Sequence, residues 1–257
     1  MENYKQSEKV YNLIRDYREF YDSLSMHVFN HIPTLTPIIF NYETYIIGSM
    51  SKTLKLIESA VREGQINDAL SLCRNYYEVV VLHLYLSLKV SEQTTFSRND
   101  KIESWMKGIE RFPDFWKNIE CLKESNITKD IVMKLNQGEK LKSLKDSLND
   151  HVHFNSFHFL VMNDTSVTYS QRNNYVYKLY LYLIEIFSLH FFTMFTINEH
   201  YMRSTDYTDS LDFGEDPDPD SLLWVAPFVQ KIVDEHLKSE HIEILDYFKE
   251  MSIMLIS

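Results

Sequence analysis

Apolar residues recur at helical spacing through most of the chain. Val10, Leu13, Ile14, Tyr17, Phe20, Tyr21 and Leu24 give one apolar face to a first helix over 7–29, which Pro33 ends. Thr34 caps a second helix with Pro37 in its first turn; Ile38, Tyr42, Tyr45, Ile46, Met50, Leu54, Ile57 and Val61 carry its stripe to a stop at Gly64. Asn67 caps a third, 68–89, that differs in kind. From Tyr76 to Leu88 only Glu78, His83 and Ser87 interrupt an apolar or aromatic run, so this helix is expected to cross the middle of a bundle. Short connections make the three antiparallel neighbours.

Over 91–138 the pattern breaks into shorter helices near 102–109, 115–123 and 128–135, read as an insertion across the bundle and not a new domain. Leu141, Leu144, Leu148 and Val152 then line one face of a helix over 139–152. In 157–170, β-branched and aromatic residues flank Asn163-Asp164, which predicts a small hairpin. A long aromatic helix follows over 173–202. Its stretch 176–197 approaches membrane-spanning length, but Lys178, Glu185 and His190 interrupt it, which favours a buried core helix and no membrane. Residues 206–220 hold seven acids, no base, and Pro217 and Pro219, the composition of an extended or disordered linker. Beyond it 222–236 and 241–255 form an amphipathic helical pair. The expected organisation is a helical bundle domain over 1–205, an acidic linker over 206–220 and a C-terminal helical appendage over 221–257.

Composition supports an all-α reading. The 257 residues include five Gly and six Pro against 17 Tyr and 16 Phe, too few turn residues for a sandwich or a Gly-looped nucleotide fold. Two cysteines, Cys73 and Cys121, and no apolar signal core at the N-terminus point to a reduced, cytoplasmic protein. The net charge of −11 disfavours diffuse nucleic-acid binding. Residues 101–145 nevertheless carry ten Lys and Arg against seven acids, read as a solvated face of mixed sign.

Chemistry concentrates on the third helix. Arg74 and Glu78 stand one turn apart in its apolar run, and a charge removed from water costs several kcal/mol unless paired and hydrogen-bonded. Arg before Glu is the poorer order for an i,i+4 pair, which suggests that each reaches toward another helix. The third member is sought in Leu148-Asn149-Asp150-His151-Val152-His153-Phe154-Asn155. A helix running through Val152 puts His151 beside the apolar stripe and His153 away from it; a helix ending near Asp150 puts both rings on one side of an extended segment. The candidate site residues are Arg74, Glu78, Asn149, His151 and His153. A histidine could exchange protons near neutral pH while Arg74 holds a phosphate, the pairing that metal-independent RNA cleavage needs. No metal or cofactor is expected: there is no phosphate loop, dinucleotide fingerprint, nucleophile elbow or zinc spacing, and His27 with His31 reads as a surface pair. Glu199-His200, His236 and His241 read as solvated helix faces.

Arg-x-x-x-Glu on an apolar helix, Leu-Asn-Asp-His-Val-His-Phe-Asn closing a later one, and a long aromatic helix after it resemble a family of bacterial helical proteins distantly related to HEPN domains. The resemblance covers 35–205. It implies a bundle of four to five helices that is often dimeric, with roles in toxin-antitoxin, abortive-infection and CRISPR-linked defence, and it carries over Arg74, Glu78 and, through Val152-His153, His153. Catalytic HEPN RNases bear an Arg followed a turn or two later by His on one helix, and no Arg of this chain has a His at that spacing. The sequence therefore favours a non-catalytic module that forms a homodimer or binds a partner protein, built around a buried Arg-Glu-His network. The alternative is a metal-independent RNase with Arg74, Glu78 and His153 at its centre.

Overall fold

A computed structural model describes residues 2–30, 42–92, 100–111, 113–166 and 171–257. The chain is all-α, and no strand occurs among the described residues. Helix α1 spans Glu2–Asn30, α2 Tyr42–Arg62 and α3 Ile66–Ser91. The start expected for the second helix at Thr34 and Pro37 lies outside the described residues.

Side-chain contacts fix the directions of these helices. Ser25 Oγ donates to the Thr44 carbonyl at 3.1 Å, Arg18 pairs with Glu58 at 3.3 Å, and the Arg62 guanidinium lies 4.1 Å from the centre of the Tyr11 ring. Late α1 thus meets early α2, an antiparallel pair. The turn into α3 is made by Gly64 at φ +77°, where an added Cβ would stand 2.7 Å from Thr165 Cγ2, so both conformation and space require glycine. Ser87 near the end of α3 donates to Glu43 near the start of α2 at 2.8 Å, so α3 turns back again.

Helix α3 is the axis of the molecule. Cys73, Tyr76, Tyr77, Val80, Val81, Leu84, Leu86 and Leu88 are all fully buried, and the helix packs against α2 and three helices later in the chain. Between α3 and α7 (Lys140–Val152) lie α4 (Asp100–Met106), α5 (Phe115–Glu124) and α6 (Lys129–Leu135). Asp114 caps α5, accepting from the amides of Trp116 and Lys117 at 3.1 Å. Phe115 then stands edge-on against Tyr77, and Ile119, Leu122, Ile131, Val132 and Leu135 join the common core. Of these short helices α5 closes one side of α3, and α6 packs on α5. Helix α7 runs antiparallel to α3, with Tyr77 O–H donating to the Leu141 carbonyl at 3.2 Å and Asn67 meeting His151 at the far end.

Helix α9 (Arg172–Ile197) is buried along most of its length, with Phe187, Phe191 and Phe192 fully enclosed. Tyr17 stacks on Phe187 at 3.7 Å between ring centres, and Phe20 meets Phe191 and Phe195, so α9 runs in the same sense as α1. It is long and apolar enough to cross a membrane, but 67% of its most apolar window is buried inside the protein.

Two expectations change here. The segment read as a hairpin begins instead with a short helix, α8 (Phe157–Val161), and residues 167–170 lie outside the described set. Phe157 and Leu160 face solvent while Phe159 is buried, a one-sided helical pattern that alternation of aromatic residues over so few positions imitates. The acidic segment is not an open linker. It holds α10 (Asp206–Asp212), whose Asp206 and Asp209 sit in the first turn where the helix dipole favours them, and a 3-10 turn at Pro219–Leu223. Its two ends are bonded to each other: the Ser204 amide donates to the Trp224 carbonyl at 2.8 Å and the Ala226 amide to the Met202 carbonyl at 2.7 Å. After this closed excursion α11 (Pro227–Ile232) passes through a π-helical turn, Val233–Leu237, into α12 (Lys238–Glu240), and α13 (Ile242–Met251) follows. Val229, Ile232, Val233, Leu237, Leu245 and Phe248 belong to the same core as α1 and α9.

Candidate functional site

Arg74 and Glu78 stand on the face of α3 that α5 and α7 cover. Arg74 Nε donates to Asn149 Oδ1 at 2.8 Å, and its Nη2 pairs with Glu78 Oε1. Lys145, one turn before Asn149 on α7, donates from Nζ to the same Glu78 oxygen at 3.0 Å. The two charges of α3 therefore pair within the helix and also reach across to α7. Arg74 and Lys145 keep only 11% and 8% of their side-chain surface, whereas Glu78 keeps 42%. Phe115 supplies the floor, with its ring centre 3.5 Å from Lys145 Nζ and 5.5 Å from the Arg74 guanidinium. Two enclosed cations thus share one carboxylate, which opens to solvent.

Lys145 was not among the residues picked from sequence. Its place one turn from Leu141 and Leu148, on the apolar side of α7, is the signal that could have found it. Burial and the nearby Arg74 push its amine below the ordinary lysine value, against the opposing pull of Glu78 and Asp114.

Neither histidine joins this centre. His151 is buried, its Nδ1 donating to Asn67 Oδ1 at 2.9 Å and its ring lying against Phe159 and Tyr175. Burial pushes its pKa down to about 4, with Asp150 opposing, so it is neutral at physiological pH. His153 follows the last residue of α7 as its C-cap and is exposed, with no bond to Arg74 or Glu78. The helix runs through Val152, so the two rings leave it in different directions. The expected Arg-Glu-His network is instead an Arg74–Glu78–Lys145–Asn149 network.

A cleft of about 440 Å³ opens beside it, lined by Glu78, Lys145, Trp105, Phe115, Trp116 and Asn118 among others. Asn118 is 4% exposed and its Oδ1 has no hydrogen-bond partner.

A second polar cluster, deeper in the bundle, also escaped sequence reasoning. Tyr76 and Tyr21 hydroxyls lie 2.6 Å apart, Tyr21 is 3.2 Å from His190 Nδ1, and His190 Nε2 is 2.8 Å from His83 Nδ1. Glu43 stands at the end of the series, accepting from Ser87 at 2.8 Å and Tyr201 at 2.7 Å, with His83 Nε2 3.8 Å from its carboxylate. Burial holds His83 below, and His190 well below, the ordinary histidine value, so both rings are neutral. His83 Nε2 itself has no hydrogen-bond partner, and Glu43 is the nearest anion on its side. With the His83 proton on Nε2, its Nδ1 accepts from His190, whose Nδ1 accepts from Tyr21, which in turn accepts from Tyr76. The cluster ties four helices together, with Tyr21, Tyr76, His83 and His190 all fully buried.

The residues read as solvated faces are engaged as well. His236 Nε2 lies 3.1 Å from Asp16 with its ring edge on Tyr17, His241 is buried, and Glu199 accepts from Ser252 and from the Ile253 amide. Asp16, Glu235 and His236 are one trio of metal-capable groups among the described residues. Arg15 at 3.2 Å and Lys231 at 3.8 Å already balance Asp16, which leaves little charge for a cation.

Comparison with family models, curated proteins and solved structures finds no match to this chain.

Proposed function

We propose that the protein is a HEPN-like helical module of a bacterial defence or stress system that works by dimerising or by binding a partner, without cleaving RNA. One observation carries the reading: neither His151 nor His153 reaches the centre around Arg74, so the histidine expected there as general acid and base is missing. Metal-independent RNA cleavage needs such a group beside the cation that holds the phosphate. His151 is neutral and bonded to Asn67, and His153 is on the surface. The network serves instead to lock α7 and α5 onto α3. An interface is supported by Val152, Phe154, Phe157 and Leu160, four exposed apolar residues gathered within 152–160 beside the network, a density that marks association surfaces. We assign this surface to a second copy of the chain.

The nuclease alternative keeps one point in its favour, the positive charge left over when Arg74 and Lys145 share Glu78. Sedimentation of the wild type and Phe157→Glu, beside an RNase assay in EDTA over structured and unstructured RNAs, separates the two. Our reading expects a dimer that Phe157→Glu dissociates and no cleavage. Cleavage lost in Arg74→Ala would overturn it, and a monomeric wild type would reject the dimer and leave a partner protein as the occupant of this surface.

A further inference from the structure

We propose that Lys145 is a carbonyl-capturing amine, which forms an imine with aldehydes whose flat apolar body enters the cleft walled by Trp105, Phe115 and Trp116. The inference is independent of the partner-binding reading, because it concerns one amine and a small molecule.

Lysine side chains normally keep the ammonium in water, yet Lys145 is 6% exposed and lines the cleft. Its three N–H groups find one acceptor, Glu78 Oε1, and otherwise face the Phe115 ring at 3.5 Å and the Trp116 ring at 5.6 Å. The charged groups that face it are Arg74 and Glu78 from α3 and Asp114 from the start of α5. Asp114 is 65% exposed, with one carboxylate oxygen accepting from the α5 amides, so the enclosed charges are two cations against Glu78. Loss of one proton from Lys145 leaves Arg74 and Glu78 as a matched pair. A desolvated lysine beside a second cation is the general arrangement that frees an amine nucleophile at neutral pH.

The remaining parts of the reaction stand around it. Glu78 is 3.0 Å from Nζ and 42% exposed, so it can take the proton and exchange it with water. The lone pair of the neutral amine attacks the carbonyl carbon, the C=O π pair moves to oxygen, and the nitrogen proton passes through Glu78 to that oxygen. That oxygen becomes the hydroxyl of a carbinolamine. A second proton transfer from nitrogen through Glu78 releases that hydroxyl as water and leaves a C=N bond. The aromatic walls select the body of the aldehyde, because stacking against them excludes water from the imine.

The full chain is treated at neutral pH with benzaldehyde or propanal and sodium cyanoborohydride, which reduces an imine to a stable secondary amine, and the sites are read by peptide mass spectrometry. Lys145 should be modified by benzaldehyde about tenfold faster than the exposed Lys117 and Lys142. The preference for benzaldehyde over propanal should fall in Trp116→Ala, a partly exposed position, and the rate should fall in Glu78→Gln. The comparison among lysines needs only the wild type, so it holds even if a variant folds poorly. Lys145 modified no faster than Lys117 and Lys142 overturns the proposal, and so does an unchanged aldehyde preference in Trp116→Ala.

Discussion

Asn67 and His151 hold each other by two hydrogen bonds, His151 Nδ1 to Asn67 Oδ1 at 2.9 Å and Asn67 Nδ2 to the His151 carbonyl at 3.2 Å. The reciprocity fixes the proton of His151 on Nδ1, since the amide nitrogen is already spent on the carbonyl. It also joins the first turn of α3 to the last turn of α7, next to the glycine turn between α2 and α3. A residue placed for proton exchange would need a free ring nitrogen and a pKa near neutrality. His151 has been given a structural task that removes the second.

His151 should therefore titrate at about 4, against about 6.5 in the unfolded chain. Between those values the unfolded state binds more protons, so the stabilisation is complete above about pH 6.5 and drains away as pH falls toward 4. His83 and His190 act in the same sense, so NMR of the individual imidazole C–H signals is the measurement that isolates His151. A His151 signal titrating near 6.5 refutes the assignment. Asn67→Ala should cost about 1–3 kcal/mol, the penalty of an unsatisfied buried N–H.

Glu78→Ala strands Arg74 and Lys145 together. Breaking one side of a buried pair costs about 3–5 kcal/mol, and the partial exposure of Glu78 places the loss at the lower end. Lys145→Met in the same background should recover part of it, because one stranded cation is removed and a thioether suits the ring of Phe115. Denaturant unfolding of the two single variants and the double variant gives the coupling. Simple additivity would mean that the two residues do not share the network.

Much of this architecture was legible in the chain. The apolar circumference of α3 announces a central helix without any knowledge of its neighbours, and the stripes of α1 and α2 are local patterns of the same kind. Arg74 and Glu78 stood out because charges interrupt an apolar run. Lys145 did not, because a lysine is solvated by default, and what encloses it is Phe115, brought over α3 by an insertion whose docking is a tertiary event. The His83 and His190 pair is hidden for the same reason, its members lying on helices that meet only after the chain has folded. The closed base of the acidic excursion rests on backbone bonds between 202–204 and 224–226, and composition carries no trace of them.

Tyr21→Phe tests the deep cluster. The change removes one hydroxyl that serves both Tyr76 at 2.6 Å and His190 at 3.2 Å, and leaves volume almost unchanged. Because Tyr21, Tyr76 and His190 are fully buried, the cost should be about 1–3 kcal/mol. His190 should then lose its fixed proton arrangement, visible as a change in its nitrogen chemical shifts. A variant as stable as wild type would mean that the series contributes nothing to the fold.

The acidic excursion and the helices after it should behave in opposite ways when removed. Its ends meet through the bonds of Ser204 and Ala226, so replacing 206–220 by a short Gly-Ser connection leaves that base in place and shortens a loop. Loop-closure entropy changes slowly with length, and the exposed acids repel one another, so stability should stay within about 1 kcal/mol of wild type. Ending the chain at 220 is different, because it strips Val229, Val233, Leu245 and Phe248 from the common core and exposes Phe20 and Phe191. Phe248→Ala alone should cost about 3–5 kcal/mol. Thermal melts of the loop replacement, the truncation and Phe248→Ala decide the matter. A truncated chain that melts like the intact one would make the C-terminal helices a separate appendage, and a loop replacement that unfolds the protein would give the acidic segment a structural role its exposure does not suggest.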